Sequence, residues 1–534
     1  MRKLLALVVA VLALAGCAGD PNEIGSSPPV ENIQDNSQTG DGESHAVDIE
    51  SVVWATCDSE ESQPLTQLFD KAMRIYSPSC PTDRTRASLP LPRVEAATTS
   101  LEPCMLQENS LTRTRYGDEI IGAFPRTSAY GVWPSMVELT MIVVPMEWPD
   151  LRGETSPMEI IEPAVQFTDE FFRVFSRGQV TFNWRIYDEW IMSPDESEAY
   201  FVSDEEMSDQ HGAMRRKAEV YFPKVIEFTD PIVDYSDADL VLYVWPQQQD
   251  LFTQYNMWDD GENGIGPYQS DEGPIKQAFT GGKYHFRELG GLGQFWAHEM
   301  GHAFGLPDLN WRANDWNNFQ AGEESLPGPF NGYDLMAGFD ATRTMSSWLM
   351  FLANWIGESE IHCLDTNSFE SGSFDVYPIT DETPTLKSLM IPLDERFQIV
   401  VESRRLSQFD VAEAFKTRSR EGVLIYVVDA SKGQGDGTQI LIAPSGRGLY
   451  KYSIENKYRT QELDAIFYEG NTVDIAGYRI TVNEFRPDRD LVSISRIEES
   501  EIEFGDYVCI TEENYDRSRV YEEYCPLEAI LPTG

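Results

Sequence analysis

Apolar positions along this chain recur at helical spacing and strand spacing in turn, and past residue 363 at strand spacing alone. Residues 137–144 form an apolar strand run, 160–175 repeat as one face of a helix, and 180–187 alternate as a strand. Helical spacing returns over 215–228, and 239–245 read as a buried strand. Another helix is predicted from near Leu289 through Phe295, Trp296, Met300 and Ala303, ending at Gly305, a residue suited to the left-handed conformation just past a helix end. Beyond Cys363 come short strand-like runs at 374–378, 388–391, 397–402, 422–428, 438–443, 472–480 and 491–497. The pattern predicts an α+β chain, with a mixed domain over 131–362 and a β-rich domain over 363–498 resembling a β-sandwich or barrel.

The two ends lack this patterning. Over residues 1–17, Arg2 and Lys3 precede an apolar run from Leu4 to Ala15 that is too short to span a bilayer as a stable helix and has the shape of an export signal. It closes on Leu14-Ala-Gly-Cys17, which resembles a bacterial lipoprotein cleavage box with Cys17 as the lipidated residue. Ala18 follows where an Asp would signal retention at the inner membrane, so the expected location is the cell envelope, at the outer membrane or cell surface, or outside the cell after processing. Residues 18–50 hold too few large apolar side chains to fold and read as a disordered tether. Residues 51–130 carry three cysteines and short amphipathic pieces, and read as a small disulfide-held domain or as a propeptide. Residues 499–534 form an acidic tail with a cysteine pair.

One stretch, Trp296-Ala-His-Glu-Met-Gly-His-Ala-Phe-Gly-Leu-Pro-Asp308, carries a complete set of groups for one reaction. His298 and His302 stand four apart, so on a helix their rings leave one face and can grip a single metal ion. Glu299 lies between them as a carboxylate not needed as a ligand. Gly305 turns the chain back, and Asp308 offers a hard oxygen to the same ion. With six His in 534 residues, chance supplies about 0.006 copies of H-E-x-x-H. A closed structural zinc site would more simply use cysteines and no spare Glu. Glu323 or Glu324, farther along, would suit a thermolysin-like arrangement. Asp308 is preferred because the Pro-rich stretch after Glu324 is a poor helix. His285 reads as a loop residue, and His45, His211 and His362 carry no ligand spacing. Residues 258–266 hold oxygen ligands suited to Ca2+ but lack the acidic third position and closing Glu of an EF-hand loop, so a solvated loop is the simpler reading.

Composition narrows the partners. With 89 acidic against 41 basic residues, the net charge of −48 argues against nucleic acid and anionic membrane surfaces as partners, leaving contact with a membrane to the N-terminal lipid. A length of 534 residues implies two or three domains. Setting Cys17 aside leaves Cys57, Cys80, Cys104, Cys363, Cys509 and Cys525, an even number that favours three disulfides in an exported chain. Cys509 with Cys525 is a plausible local pair. Sequence alone does not pair the other four.

His298-Glu-Met-Gly-His-Ala-Phe-Gly-Leu-Pro-Asp308 resembles the H-E-x-x-H-x-x-G-x-x-D signature of the secreted, metzincin-like metallopeptidases related to immune inhibitor A, in which Asp replaces the third His of most metzincins. Gly332-Tyr-Asp-Leu-Met-Ala-Gly338 is similar to that family's Met-turn, and residues 346–356 to the helix after it. Residues 139–144 and 171–182 resemble its first strand and the serine-glycine turn into the next. The resemblance spans roughly residues 135–435. It implies a zincin catalytic domain, one catalytic Zn2+ held by His298, His302 and Asp308, Met336 as a thioether floor, and Glu299 as general base in peptide-bond hydrolysis. Tyr333 would be an oxyanion helper as near some Met-turns, but it precedes Met336, and a core tyrosine is the preferred reading. Some metzincins are held latent by a propeptide cysteine on the metal, a part open to Cys57, Cys80 or Cys104. A reading of another class keeps the same fold as a catalytically idle, surface-anchored binding or adhesion lipoprotein. Glu299 discriminates the two, since a binding module needs no unliganded carboxylate beside a metal.

Overall fold

Strands buried on one face and strands buried on both divide the molecule into layers. The structure, a computed structural model, describes residues 100–107, 120, 122–127, 132–200, 210–246, 256–258, 267–282, 291–309, 330, 333–337, 344–405, 407, 409, 421–430, 433, 438–442, 466–497, 507–508 and 524–525. All of them fall in one compact unit, Leu68–Gly534. Helices and sheets are mixed, with sheet predominating. Cys17, Cys57, Cys80, His45, His285, Glu323, Glu324 and most of the 258–266 loop lie outside the described residues.

The first half runs β1 (Val137–Glu147), α1 (Met158–Phe175), β2 (Val180–Ile186), β3 (Ile191–Met192), α2 (Gln210–Thr229), β4 (Leu240–Trp245) and β5 (Asn256–Trp258), then a small hairpin of β6 (Tyr268–Ser270) and β7 (Gly273–Ile275), and β8 (Gln277–Gly282). Helix α2 therefore starts earlier than the apolar spacing over 215–228 predicts. The sheet has the order β2-β1-β4-β8-β5 with β3 beside β1, and is parallel except where β5 pairs antiparallel with β8. Leu139, Met141 and Val143 of β1 and Leu240, Leu242 and Val244 of β4 pack towards α1. The alternate residues Ile142, Val144, Val241, Tyr243 and Trp245 pack towards Tyr221, Phe222 and Val225 of α2. Burial on both faces is why β4 is apolar at every position. Two short helices of the site follow, α3 (Gly291–Ala303) and α4 (Ser347–Leu352), the latter capped by the Ser346 hydroxyl, which accepts the Leu349 N–H at 3.5 Å.

The second half is strand after strand: β9 (Ile361–Cys363), β10 (Ser371–Val376), β11 (Ser388–Pro392), β12 (Phe397–Arg404), β13 (Gly422–Asp429), β14 (Gln439–Leu441), β15 (Ile466–Phe467), β16 (Thr472–Ile475), β17 (Tyr478–Arg486) and β18 (Arg489–Arg496). They form a six-stranded sheet, β14-β13-β12-β11-β9 with β15 on β13, and a four-stranded sheet, β10-β18-β17-β16. Ile399, Val401, Ile425 and Val427 of the first share one apolar layer with Phe374, Ile480, Val482 and Val492 of the second. The other face of the six-stranded sheet is also buried. Met390, Val400, Leu424 and Tyr426 belong to the same core as α1, α3 and α4, so apolar packing runs unbroken across residues 362 and 363.

One sequence expectation needs correction. The single run over 472–480 is two antiparallel strands, β16 and β17, joined by a reversal at Ala476 (φ 46°) and Gly477 (φ 78°). Two successive positive φ values match the twist of a tight hairpin, but Ala at the first of them carries none of the Asn or Asp signal by which such turns are recognised.

Cys104 and Cys363 form a disulfide across a sequence separation of 259. The bridge removes Cys104 from the candidates for a thiolate on the metal, since a bonded sulfur cannot ligate it. It also ties the 3-10 turn Glu102–Cys104 to β9. The Phe124 N–H donates to the Leu106 carbonyl at 2.8 Å, and the Arg126 guanidinium donates to the carbonyl of Phe304 at 2.8 Å, just past the end of α3. Residues 100–107 and 122–127 are thus built into the core around α3. Near the other end, β19 (Tyr507–Val508) pairs with β20 (Tyr524–Cys525), and Cys509 lies outside the described residues. Among the described residues no helix is long and apolar enough to cross a membrane.

Candidate metal centre

Helix α3 is buried along its described length, which explains its apolar stripe of Leu292, Phe295, Trp296, Met300 and Ala303. Its end is set by hydrogen bonds. The Gly305 N–H donates to the His302 carbonyl at 2.9 Å and the Leu306 N–H to the Gly301 carbonyl at 3.0 Å, the paired closure that needs the left-handed φ of 76° at Gly305. Phe304 anchors the same end, with its ring centroid 5.6 Å from Phe172, 5.2 Å from Trp355 and 5.3 Å from Trp133. The helix therefore stops at a fixed point, and the chain returns Asp308 towards the two histidines.

His298 and His302 have ring centroids 4.9 Å apart. His298 Nδ1 is 2.9 Å from the Leu335 carbonyl and His302 Nδ1 is 2.8 Å from the Leu306 carbonyl. A carbonyl can only accept, so each Nδ1 carries its proton and each Nε2 is left to act as a ligand. Both Nε2 atoms face Asp308, at 3.1 Å and 3.5 Å from its Oδ1. Ligand atoms at about 2.0–2.2 Å from a tetrahedral zinc ion lie roughly 3.3–3.6 Å from one another. The two nitrogens and the carboxylate oxygen, all within 4.8 Å of one another, fit such an ion. All three residues are buried, and so is Glu299 at 6% exposure.

The segment around Met336 packs against the same helix, α3. A Cβ placed on Gly301 would lie 2.6 Å from Met336 Sδ, so the sulfur occupies the space a side chain would take between the histidines of α3. The Leu309 N–H donates to the Met336 carbonyl at 2.8 Å, linking this segment to the residue beside Asp308. Asp334 holds this turn from within, one carboxylate oxygen accepting the Met336 N–H at 2.8 Å and the other the Ser346 N–H at 2.5 Å. Burial pushes the Asp334 carboxyl up to about 6, against the opposing pull of those N–H groups and the Arg404 charge. Tyr333 is buried beside the turn, its carbonyl accepting the Thr344 hydroxyl at 3.2 Å. The only signal for Asp334 in the sequence is local, an acid two residues before the N–H it accepts, which is the spacing of an Asx turn. His362, with no ligand spacing in the sequence, sits away from this group, its ring packed against Phe374 in the layer between the two later sheets.

His302 bears on the pH at which the site can bind a cation. Burial alone would lower its pKa, but the Asp308 carboxylate beside it, with a smaller contribution from Glu299, raises it to about 9. The metal-free site therefore holds a proton at His302 below about pH 9, and a cation must displace it. Affinity for zinc is expected to rise about tenfold per pH unit through the neutral range, levelling off above the His302 pKa. Titration with a buffered zinc indicator between about pH 6 and 8 checks this, and a flat affinity there would contradict it. The chain matches neither a protein-family model nor a curated protein.

Proposed function

We propose that this chain is an exported zinc-dependent endopeptidase, built as a metzincin-like zincin domain followed by a β-sandwich-like domain. On this reading it resembles the immune inhibitor A group and is held at the cell envelope through lipidated Cys17. The observation that carries the reading is the convergence of two imidazole Nε2 atoms and one carboxylate oxygen beside a fourth, buried acid, Glu299, that the ligand set does not need.

His298, His302 and Asp308 would hold the ion, and their one negative charge leaves a divalent cation with net charge +1. A zinc ion bound there supplies a Lewis acid that polarises the scissile carbonyl and acidifies the attacking water. Glu299 takes the proton of that water as it adds to the carbonyl carbon, then delivers it to the departing amine nitrogen. The carbonyls of Leu335 and Leu306 accept hydrogen bonds from the Nδ1 atoms and so turn each Nε2 towards the ion. Protein or peptide substrates suit this chemistry. An idle adhesion fold has no use for Glu299, which favours the enzyme over the binding reading. The test is casein hydrolysis by the purified protein. Cleavage is expected to stop on chelation and return when zinc is restored, and cleavage that survives complete zinc removal would defeat the reading.

A further inference from the structure

A buried polar chain runs from the segment around Met336 into the six-stranded sheet. Arg404 and Glu402 lie on the β12 face that also carries Val400 and packs against the helices, and both are buried. Arg404 Nε donates to Glu402 Oε1 at 2.6 Å, and its Nη1 donates to the Thr344 hydroxyl at 2.7 Å. That hydroxyl in turn donates to the Tyr333 carbonyl, while the Thr344 carbonyl accepts the Leu335 N–H at 2.7 Å. Glu402 Oε2 accepts the Ser347 N–H at 2.8 Å and the Tyr426 hydroxyl at 3.0 Å. The next link is Leu335 itself, whose carbonyl receives His298 Nδ1.

A buried ion pair is poor evidence for stability, because apolar residues of the same size often do as well. What such a pair does supply is fixed geometry, and here the same guanidinium also donates, through Nη1, to Thr344 beside the segment that orients a ligand. We propose that Arg404 and Glu402 are positioning residues for the metal centre. Acting through Thr344, they hold the Tyr333–Met336 turn so that the Leu335 carbonyl stays in place for His298. The later sheet is then part of the metal site and not an appendage to it. This inference rests on reading His298, His302 and Asp308 as metal ligands.

The test is the rate at which the zinc-loaded full chain gives up its metal to excess chelator, compared for wild type, Thr344→Val and Thr344→Ser. Valine keeps the shape and removes the relay hydroxyl, so release should quicken about 10–100-fold, as when other outer partners of metal ligands are lost, and serine should restore it. Should Thr344→Val fail to fold, Arg404→Lys keeps the charge beside Glu402 but loses the fork that reaches Thr344, and the same acceleration is expected. A purely structural role predicts lower unfolding midpoints with release unchanged, and that result overturns the inference. A wild-type chain that binds zinc, with variants releasing it at the wild-type rate, sinks this proposal and leaves the peptidase reading standing. Zinc binding with the expected acceleration but no casein cleavage does the reverse. A wild-type chain that takes up no zinc removes both.

Discussion

Glu299→Gln is expected to lower the rate of casein cleavage about 10²–10⁴-fold, the usual contribution of a positioned general base, while the zinc content stays that of wild type. Gln matches Glu in size and can still hydrogen-bond, but it cannot take a proton from water. Glu299 is buried on α3 between His298 and His302, and its charge is one of those that raise His302. The substitution therefore separates catalysis from coordination. Removing a negative charge beside His302 should, if anything, ease deprotonation of that ring, so loss of metal is not the expected cause of inactivity. Equal activity in both proteins would remove Glu299 from the mechanism. Lost activity accompanied by lost metal would show it to be a ligand instead.

The second large effect concerns the bridge between Cys104 and Cys363. Cross-links that close long loops restrict the unfolded chain most, and replacing both cysteines with Ala is expected to cost about 2–5 kcal/mol of stability. The 259-residue separation puts this bond at the long end of that range. Its place in the fold adds to the case. It fastens residues 100–107 to β9, which pairs with β11 of the sheet carrying Glu402 and Arg404. Urea unfolding of zinc-loaded wild type and the double variant checks the estimate. Coincident curves would mean that the bridge does not restrain the unfolded state.

The helix with His298 and His302 is legible in the sequence because a four-residue interval and a closing glycine are local signals. Asp308 follows from the same turn, since the bonds at Gly305 reverse the chain within a few residues. The segment at Met336 is singled out only by the resemblance. No spacing rule brings Gly301 and Met336 together, and their contact needs the whole core. Glu402 and Arg404 sit at the end of a strand where charge reads as solvated, and only the packing of β12 against the helices buries them. The same packing explains why the sequence divides the chain at 362 and 363 while the core does not. A strand buried between two sheets and one buried between a sheet and helices carry the same apolar run. Strands β3, β5, β6 and β7 are short, and β6 and β7 carry polar and turn-forming residues, so periodicity does not find them.

The most direct test of the central claim is the metal content of the purified, processed protein at mildly alkaline pH, by elemental analysis. Two imidazole Nε2 atoms and one carboxylate oxygen converging on one point predict one equivalent of zinc per chain, lost when Asp308 is replaced by Ala. A protein that folds and carries no stoichiometric metal, even after incubation with zinc, would contradict the account.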